Sequence, residues 1–248
     1  MTPPPTDGAG ETAARGSRRE RTRAATTEEI KQTALTLMRE QRSTDIRFTD
    51  IAKQMGMTPP ALYRYFDGRD ELLTALITDS YDELSAHVRD SLKGTDPAAP
   101  WPRWVAAGQA YRSWARRAPE RFALILGLPV PGYAADEEGP TTEAAKRAMS
   151  QLSGLFIEAL TNGALHRPLI QHVDAALADI AGEQHPDDHK AGLPAETFQA
   201  MLHAWAGLHG FTSLEAYGHL EWIGPEARDA LFLTQLELLA TASGLPTS

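Results

Sequence analysis

Cysteine is absent from the 248-residue sequence, and several classes of protein chemistry are excluded with it. Without a thiol, the chain can form neither a disulfide framework nor a thiolate zinc site, and it has no cysteine nucleophile. A long apolar run is also missing. Residues 1–25 lack the apolar central segment of a secretory signal, and no later stretch is apolar enough to span a bilayer. We therefore expect a cytoplasmic protein.

Recognisable enzymatic motifs are missing too. The sequence contains no nucleophile-elbow motif, no phosphate-binding glycine loop and no HExxH zinc motif. These absences predict that the protein is not an enzyme and uses no cofactor. Hydrophobic residues make up 42% of the chain, which at this length is enough to bury the core of one large domain or of two smaller ones.

Charge is distributed unevenly along the chain. The formal net charge is -9, yet residues 1–80 hold 12 basic and 12 acidic residues, whereas the remainder holds 12 and 21. Five arginines precede the first clear helical pattern: Arg15, Arg18, Arg19, Arg21 and Arg23. Such an arm could lie along phosphates or enter a minor groove, or it could be a solvated tail whose arginines only aid solubility. We predict a disordered basic arm over residues 1–25 and leave its role open.

Apolar residues recur with a period near 3.6, and no sustained alternating pattern is present, so we predict an all-α fold. Capping-box spacing predicts that the first helix begins at Thr26 and fades near Arg42. A short second helix is expected over Asp50–Met55. Gly56 would end it, because glycine adopts a left-handed C-terminal conformation at little cost. A third helix is expected to begin at Thr58.

The third helix, TPPALYRYF, has unusual chemistry on its outer face. Pro59 and Pro60 suit the first turn, where N–H groups have no helical partner in any case. Leu62 and Phe66 are four residues apart and can face the core. The remaining residues of the outer and flanking faces are polar, aromatic or small: Thr58, Pro60, Ala61, Tyr63, Arg64 and Tyr65. Two short helices joined at a glycine turn are typical of a helix-turn-helix, which presents the second helix to the DNA major groove.

The stretch FTDIAKQMGMTPPALYRYFDGRDELLTAL resembles the DNA-binding region of the tetracycline-repressor (TetR) family of transcriptional regulators. The resemblance covers about residues 27–80. It includes a short helix, a glycine, Thr-Pro, Leu-Tyr, an aromatic, Phe and a basic residue before an acidic-Leu pair. Arg47 stands where the family usually has a Ser or Thr cap, so Thr49 is an alternative cap. Arg69 stands where Lys is usual.

Carried over by position, the resemblance implies DNA contacts for individual residues. It implies that Tyr63, Tyr65 and Arg69 bind phosphates, which position a protein without specifying a sequence. Arg64 could reach either a phosphate or a guanine. The full set of predicted DNA-binding residues is Thr49, Thr58, Pro60, Ala61, Tyr63, Arg64, Tyr65 and Arg69, of which Pro60, Ala61 and Thr49 are implied to lie near base edges.

The later part of the chain resembles the C-terminal domain subtype named for a Trp-His-Gly signature, through QAYRSWARRAPERFALIL and WAGLHGFTSLE. One interpretation is structural, because Trp205 and His209 are four apart on one helix face and Gly210 permits close packing. The other is a mostly apolar pocket for a small organic ligand, with His209 as a polar contact. The predicted pocket residues are Trp104, Tyr111, Trp114, Phe122, Phe156, Trp205 and His209.

Domain boundaries follow from these assignments. We predict a helix-turn-helix domain over residues 26–72, and an effector-binding and dimerisation domain over residues 73–248. Two apolar helices are expected to end the chain, at about residues 195–218 and 225–242. The second has an apolar stripe too wide for packing on one side only, which predicts that these two helices form a homodimer interface.

The resulting hypothesis is a homodimeric regulator that binds double-stranded operator DNA and no membrane. We expect a repressor that a small organic effector releases from a pseudo-palindromic operator. An alternative is a metal-responsive regulator that uses His185, Asp187, Asp188 and His189, although we expect no metal site because this polar linker has no fixed frame. A further alternative is an all-α enzyme.

Overall fold

The computed structural model describes residues 8–183 and 192–247, and within them the chain forms ten α-helices and no strand. The all-α prediction is therefore confirmed. No helix in this described part combines the length and hydropathy that a membrane span requires. The helices are α1 Gly8–Gln41, α2 Phe48–Gln54, α3 Pro59–Leu62, α4 Arg69–Ser91, α5 Pro100–Arg117, α6 Pro119–Leu126, α7 Pro140–Thr161, α8 Ala175–Glu183, α9 Ala195–Ala216 and α10 Pro225–Ser243.

The first helix begins far earlier than the sequence predicted. It starts at Gly8 and not at Thr26, so residues 8–25 of the predicted disordered arm lie in α1. The Thr26 hydroxyl does not cap a helix start, because it donates to the carbonyl of Thr22, 3.1 Å away and one turn earlier. This bond is typical of a threonine inside a helix. The stretch from Gly8 to Gln41 contains no proline, so nothing in the backbone forces a break there.

Helix α2 begins at Phe48, two residues before the predicted start at Asp50. Arg47 is the N-cap and has extended backbone angles without a side-chain capping bond. The interpretation of Thr49 as the cap is therefore wrong, because Thr49 is already the second helical residue. The predicted stop is confirmed, since Gly56 follows the helix with a left-handed φ of 64° that favours glycine.

The first turn of helix α3 has the residues that the sequence predicted. Pro59 and Pro60 occupy the first helical positions, and Thr58 is the N-cap residue without a side-chain capping bond. Leu62 and Phe66 are both buried, as predicted. These two side chains fix α3 to the core and leave its other faces outward.

Two hydrophobic cores share helix α4. Leu72 and Leu76 near its start pack in an N-terminal core with α1, α2 and α3, whereas Leu84 packs in a C-terminal core with α5, α6, α7, α9 and α10. Helix α6 also serves both, with Phe122 in the C-terminal core and Leu124 in the N-terminal core. The domain boundary predicted at residue 72 therefore falls inside a continuous helix.

Helices α9 and α10 pack closely against each other. Gly207 allows this approach, because a Cβ atom there would lie 2.6 Å from Cδ2 of Leu239. Helix α10 buries Phe232 and Leu236 against the rest of the chain. Three of its other leucines remain substantially exposed, namely Leu231, Leu233 and Leu238. The last helix thus has apolar residues on two sides.

Candidate DNA-binding surface and effector cavity

Six of the eight predicted DNA-binding residues lie at α3 and the turn that follows it, whereas Thr49 lies on α2 and Arg69 begins α4. Backbone bonds from Arg64 N to Ala61 O and from Tyr65 N to Leu62 O continue the helical turn past the end of α3. Tyr63, Arg64 and Tyr65 are therefore held on a hydrogen-bonded turn. Their side chains can project from a fixed frame, although α3 itself is only four residues long.

Most of these side chains are accessible. Tyr63 is 55% exposed, and its ring packs against Phe48 of α2 with 5.1 Å between ring centroids. Ala61 and Tyr65 are half-buried. The sequence did not single out Phe48, because the second helix was expected to begin only at Asp50. The exposed members of the predicted set are Thr49, Thr58, Pro60, Tyr63 and Arg64.

Arg69 has a role inside the protein that the sequence did not indicate. Its Nε donates to the Ile46 carbonyl at 3.0 Å, and its Nη1 donates to the Pro131 carbonyl at 3.1 Å. Its Nη2 donates to Asp45 Oδ1 at 3.0 Å. The guanidinium therefore joins the loops before α2 and after α6 to the start of α4. Phosphate binding by Arg69 stays a prediction that relies on its remaining N–H donors.

A basic cleft lies between α1 and the turn after α3. Arg23 stacks over the ring of Tyr65, with its Cζ atom 5.4 Å from the ring centroid. The cleft is lined by Arg18, Arg19, Thr22, Arg23, Arg64 and Tyr65. Residues of the predicted arm and of the predicted DNA-binding surface are thus brought together.

A second feature is an apolar cavity of about 240 Å³ inside the C-terminal part, between α4, α5, α7 and α9. Three of the seven predicted pocket residues line it: Trp104, Tyr111 and Trp205. None of the described lining residues is charged. The sequence missed the contributions of α4 and α7, among them Leu84, Val88, Ala145, Ala148, Leu152 and Leu155. Small and aliphatic side chains of this kind carry no sequence signal for a cavity.

The other four predicted pocket residues do not line this cavity. Trp114, Phe122 and Phe156 are fully buried in the C-terminal core, and Trp114 Nε1 donates to Glu83 Oε1 at 3.1 Å. His209 instead borders an open cleft near Tyr217. The structure therefore separates core aromatics from cavity aromatics, which the sequence-based prediction had placed together in one pocket.

His209 connects the cavity to this cleft through Tyr111. Burial lowers the pKa of His209, which favours the neutral imidazole at neutral pH. Burial also raises the pKa of Tyr111, so its phenol stays protonated. The Tyr111 hydroxyl lies 3.0 Å from His209 Nδ1, and the neutral ring can accept a hydrogen bond from it there. The His209 ring also stacks on Trp205 at 5.7 Å, which is the structural role that their spacing indicated.

No metal site emerges from residues 8–183 and 192–247, because no group of three or more His, Asp or Glu side chains there could hold an ion. The polar cluster proposed as a metal alternative lies outside the described residues. It consists of His185, Asp187, Asp188 and His189.

Comparison with protein families identifies both parts of the chain. Residues 30–76 match the family described as bacterial regulatory proteins of the tetR family. Residues 104–239 match a domain described as the tetracyclin repressor-like C-terminal domain. That description does not specify the Trp-His-Gly subtype, which stays a prediction.

Individual relatives agree with the family matches. The HTH-type transcriptional regulators Rv1816 of Mycobacterium tuberculosis and Mb1846 of Mycobacterium bovis are each 34% identical over 171 residues, covering 68% of this chain and 70% of theirs. The protein SCO4313, whose crystal structure is known, is 34% identical in sequence to this chain. The two structures superpose with a TM-score of 0.67, over 89% of this chain and 97% of SCO4313.

The TetR family regulator PfmR from Thermus thermophilus shares the fold at 15% identity. Its TM-score is 0.55 over 85% of this chain and 96% of PfmR. The two family matches and the mycobacterial relatives go further than a shared fold, because they identify both the helix-turn-helix and the helical part that follows it. This chain belongs to the TetR family of helix-turn-helix transcriptional regulators, which are DNA-binding regulators and not enzymes.

Proposed function

We propose that the protein is a homodimeric repressor, released from a pseudo-palindromic operator when a small apolar molecule occupies the cavity. The observation that carries this proposal is the cavity's position against α4. Tyr81, Leu84 and Val88 of that helix line the cavity, while Leu72 and Leu76 of the same helix pack in the core of the helix-turn-helix. A ligand that displaces α4 therefore acts on both parts of the chain.

The chemistry of the cavity limits the effector. Its lining presents two tryptophans and many aliphatic side chains, and the lining residues include no ionised group. A charged ligand would lose its hydration there without gaining a partner. The volume of about 240 Å³ exceeds the roughly 150 Å³ of an engineered apolar cavity that binds benzene. We infer a neutral, largely apolar effector bigger than a single benzene ring.

Contacts around α6 provide a route from the cavity to the DNA-binding part. The Tyr81 hydroxyl donates to the carbonyl of Ile125 on α6 at 2.9 Å. At the other end of α6, the carboxylate of Glu120 accepts two bonds from Arg39 of α1, at 2.9 and 2.6 Å. A shift of α4 is thus passed to α6 and then to α1.

Release from DNA has an energetic requirement. The effector must bind the DNA-incompetent state more tightly than the competent one, since equal affinity would shift nothing. To reverse the ratio of the incompetent to the competent state from 1:99 to 99:1, the effector must bind the incompetent state ~10⁴-fold more tightly. A ligand that fits the cavity only when α4 is displaced would supply such a difference, because its contacts with the cavity would form in that state alone.

The exposed apolar surface of α9 and α10 supports the homodimer. Four leucines of these helices are exposed, namely Leu231, Leu233 and Leu238 of α10 and Leu214 of α9. A two-fold axis beside these two helices would cover the same residues on both subunits and would present two helix-turn-helix units to DNA. Two such units fit an operator with repeated half-sites about 34–36 Å apart, one helical turn of DNA.

Selection of bound fragments from the source genome tests the function. At moderate salt, purified protein should enrich fragments that share an inverted repeat, and its affinity for them should fall as salt rises. Size measurement of the same protein should give a dimer. Absence of any preference for the selected fragments over random duplex DNA would refute the repressor proposal.

Filling the cavity should uncouple the effector from DNA. Ala148 on α7 lines the cavity, so Ala148→Phe should exclude the ligand and leave operator affinity close to wild type. The measurement is thermal stabilisation by a panel of neutral aromatic and aliphatic compounds. A compound at 100 times its Kd should stabilise the wild type by about 2.7 kcal/mol and the variant by much less.

Ser150→Phe is the matched control for this prediction. Ser150 lies on the same helix with an exposed side chain and does not line the cavity. This variant should keep both the stabilisation and the DNA response. If Ala148→Phe is stabilised as strongly as Ser150→Phe, the effector binds elsewhere.

A further inference from the structure

We propose that the N-terminal extension of α1, residues 8–25, is a second DNA-contacting element. It binds phosphates that flank the operator half-site, beside the recognition helix. This inference rests on the proposed DNA-binding function and adds a site to it. The family match begins at residue 30, so the extension lies outside the segment that identifies the helix-turn-helix.

The extension has the length and exposure of a projecting arm. Helix α1 begins at Gly8, and from residue 18 onward its first buried residue is Ile30. At about 1.5 Å per residue, the segment between them spans roughly 33 Å. Residues 18–25 are all exposed. Because these eight residues contribute nothing to the core, packing does not explain their helical conformation.

Its charge is opposite to that of the whole protein. Residues 8–25 contain five arginines and two glutamates, in a chain whose formal net charge is -9. Several arginines elsewhere are paired with carboxylates, such as Arg39 with Glu120, Arg103 with Glu158 and Arg147 with Asp82. In contrast, no carboxylate of the described residues pairs with any of four guanidinium groups around the basic cleft: Arg18, Arg19, Arg23 and Arg64.

These arginines lie beside the surface that is already proposed to bind DNA. Arg18, Arg19 and Arg23 line the same cleft as Arg64, which belongs to the turn after α3. Arg23 also stacks on Tyr65, and this contact holds the extension against that turn. Double-stranded DNA carries one negative charge per about 1.7 Å of its axis, so a phosphate backbone matches a continuous row of cations.

The test removes three charges and measures how DNA affinity depends on salt. The full-length variant Arg18→Gln/Arg19→Gln/Arg23→Gln is compared with Arg89→Gln/Arg116→Gln/Arg167→Gln, which removes the same charge from exposed positions elsewhere. Glutamine keeps helix propensity close to that of arginine, and circular dichroism checks that α1 persists. Each protein is titrated with operator duplexes with and without flanking base pairs, and with a random duplex.

The DNA affinity of the Arg18/Arg19/Arg23 variant should depend less steeply on salt concentration than that of the wild type. Loss of three phosphate contacts per subunit, or six for the dimer, should lower the slope of log K against log salt by roughly 5.4, at about 0.9 per contact. Between about 50 and about 200 mM salt, the wild type should then lose roughly 2,000-fold more affinity than the variant. Trimming the flanks should remove most of this difference, and lysine at all three positions should restore most of the binding.

Two failures are distinguishable. If the Arg18/Arg19/Arg23 variant and the control variant have the same slope on flanked and random duplexes, the extension does not touch DNA and this inference is wrong. If the wild type shows no operator preference, the repressor proposal fails. Even then, the random duplex still decides whether the extension binds phosphates, because those contacts do not depend on sequence.

Discussion

Operator affinity should fall by about 30-fold to 10⁴-fold when Arg64 is replaced by alanine, if Arg64 reads a base. A good bidentate contact to guanine is worth about 1–3 kcal/mol, and a homodimer loses it twice. Arg64 is exposed on the hydrogen-bonded turn after α3, so its removal should not disturb the fold. Fluorescence anisotropy with a labelled operator measures the loss, and denaturation checks that stability is unchanged.

The same variant shows what Arg64 contacts. If Arg64 pairs with guanine, Arg64→Ala should tolerate any base at one position of each half-site and discriminate normally elsewhere. If it binds phosphate, affinity should fall evenly for all sequences, and the salt slope should drop by about 1.8 for the two subunits. Arg116→Ala, exposed on α5, should change neither quantity. Wild-type affinity and slope in Arg64→Ala would exclude Arg64 from the interface.

The helix-turn-helix was predictable because its signals are local. Gly56, the two prolines of α3 and the spacing of Leu62 and Phe66 each constrain the backbone within a few residues. The start of α1 was not predictable in this way. Thr26 and Glu29 have the spacing of a capping box, but a hydroxyl can also bond back to a carbonyl one turn earlier, as Thr26 does.

The cavity could be predicted only in part, for a different reason. Trp104 and Trp114 are both fully buried on α5, yet Trp104 lines the cavity and Trp114 does not. Helical spacing shows that a side chain faces inward, and it does not show whether another atom fills the space in front of it. The space here depends on Ala145 and Ala148 of α7, which pack across from α5. Small residues on a distant helix give no local signal.

Long-range polar contacts were the least predictable feature. Arg69 follows the helix-turn-helix and was expected at phosphates, but it also binds the carbonyl of Pro131 in the loop after α6. Arg39 and Glu120 are 81 residues apart and form the bidentate link between α1 and α6. Sequence spacing contains no information on such partners. These contacts nevertheless join the two cores, so they carry the proposed response to an effector.

Removing one partner of a buried ion pair should strongly destabilise the C-terminal part. Arg112 on α5 donates from Nε and Nη2 to the Glu215 carboxylate of α9, at 2.5 and 2.6 Å. Both side chains are less than 10% exposed, and Nη1 lies 2.8 Å from Asp229 of α10. The guanidinium also stacks over Phe232, 4.6 Å from the ring centroid. One side chain thus joins α5 to both proposed dimer helices.

Replacing Arg112 by methionine should destabilise the protein by about 3–5 kcal/mol, because the Glu215 carboxylate is then buried without a donor. For a chain of this size, this corresponds to a fall in Tm of roughly 6–20 °C. Denaturation at fixed protomer concentration measures the loss, since dimerisation makes stability concentration-dependent. Burial opposes the charge of Arg112, but Glu215 and then Asp229 raise its pKa, so Arg112 stays charged near neutrality in the wild type.

Arg147→Met is the matched control, because Arg147 donates two bonds to Asp82 in a pair that is about half exposed. Breaking this surface pair should cost less than about 1 kcal/mol. The double variant Arg112→Met/Glu215→Leu should recover much of the loss, since no charge is then left buried without a partner. If the double variant is as unstable as Arg112→Met alone, the lost stability comes from packing on Phe232 and not from the stranded carboxylate.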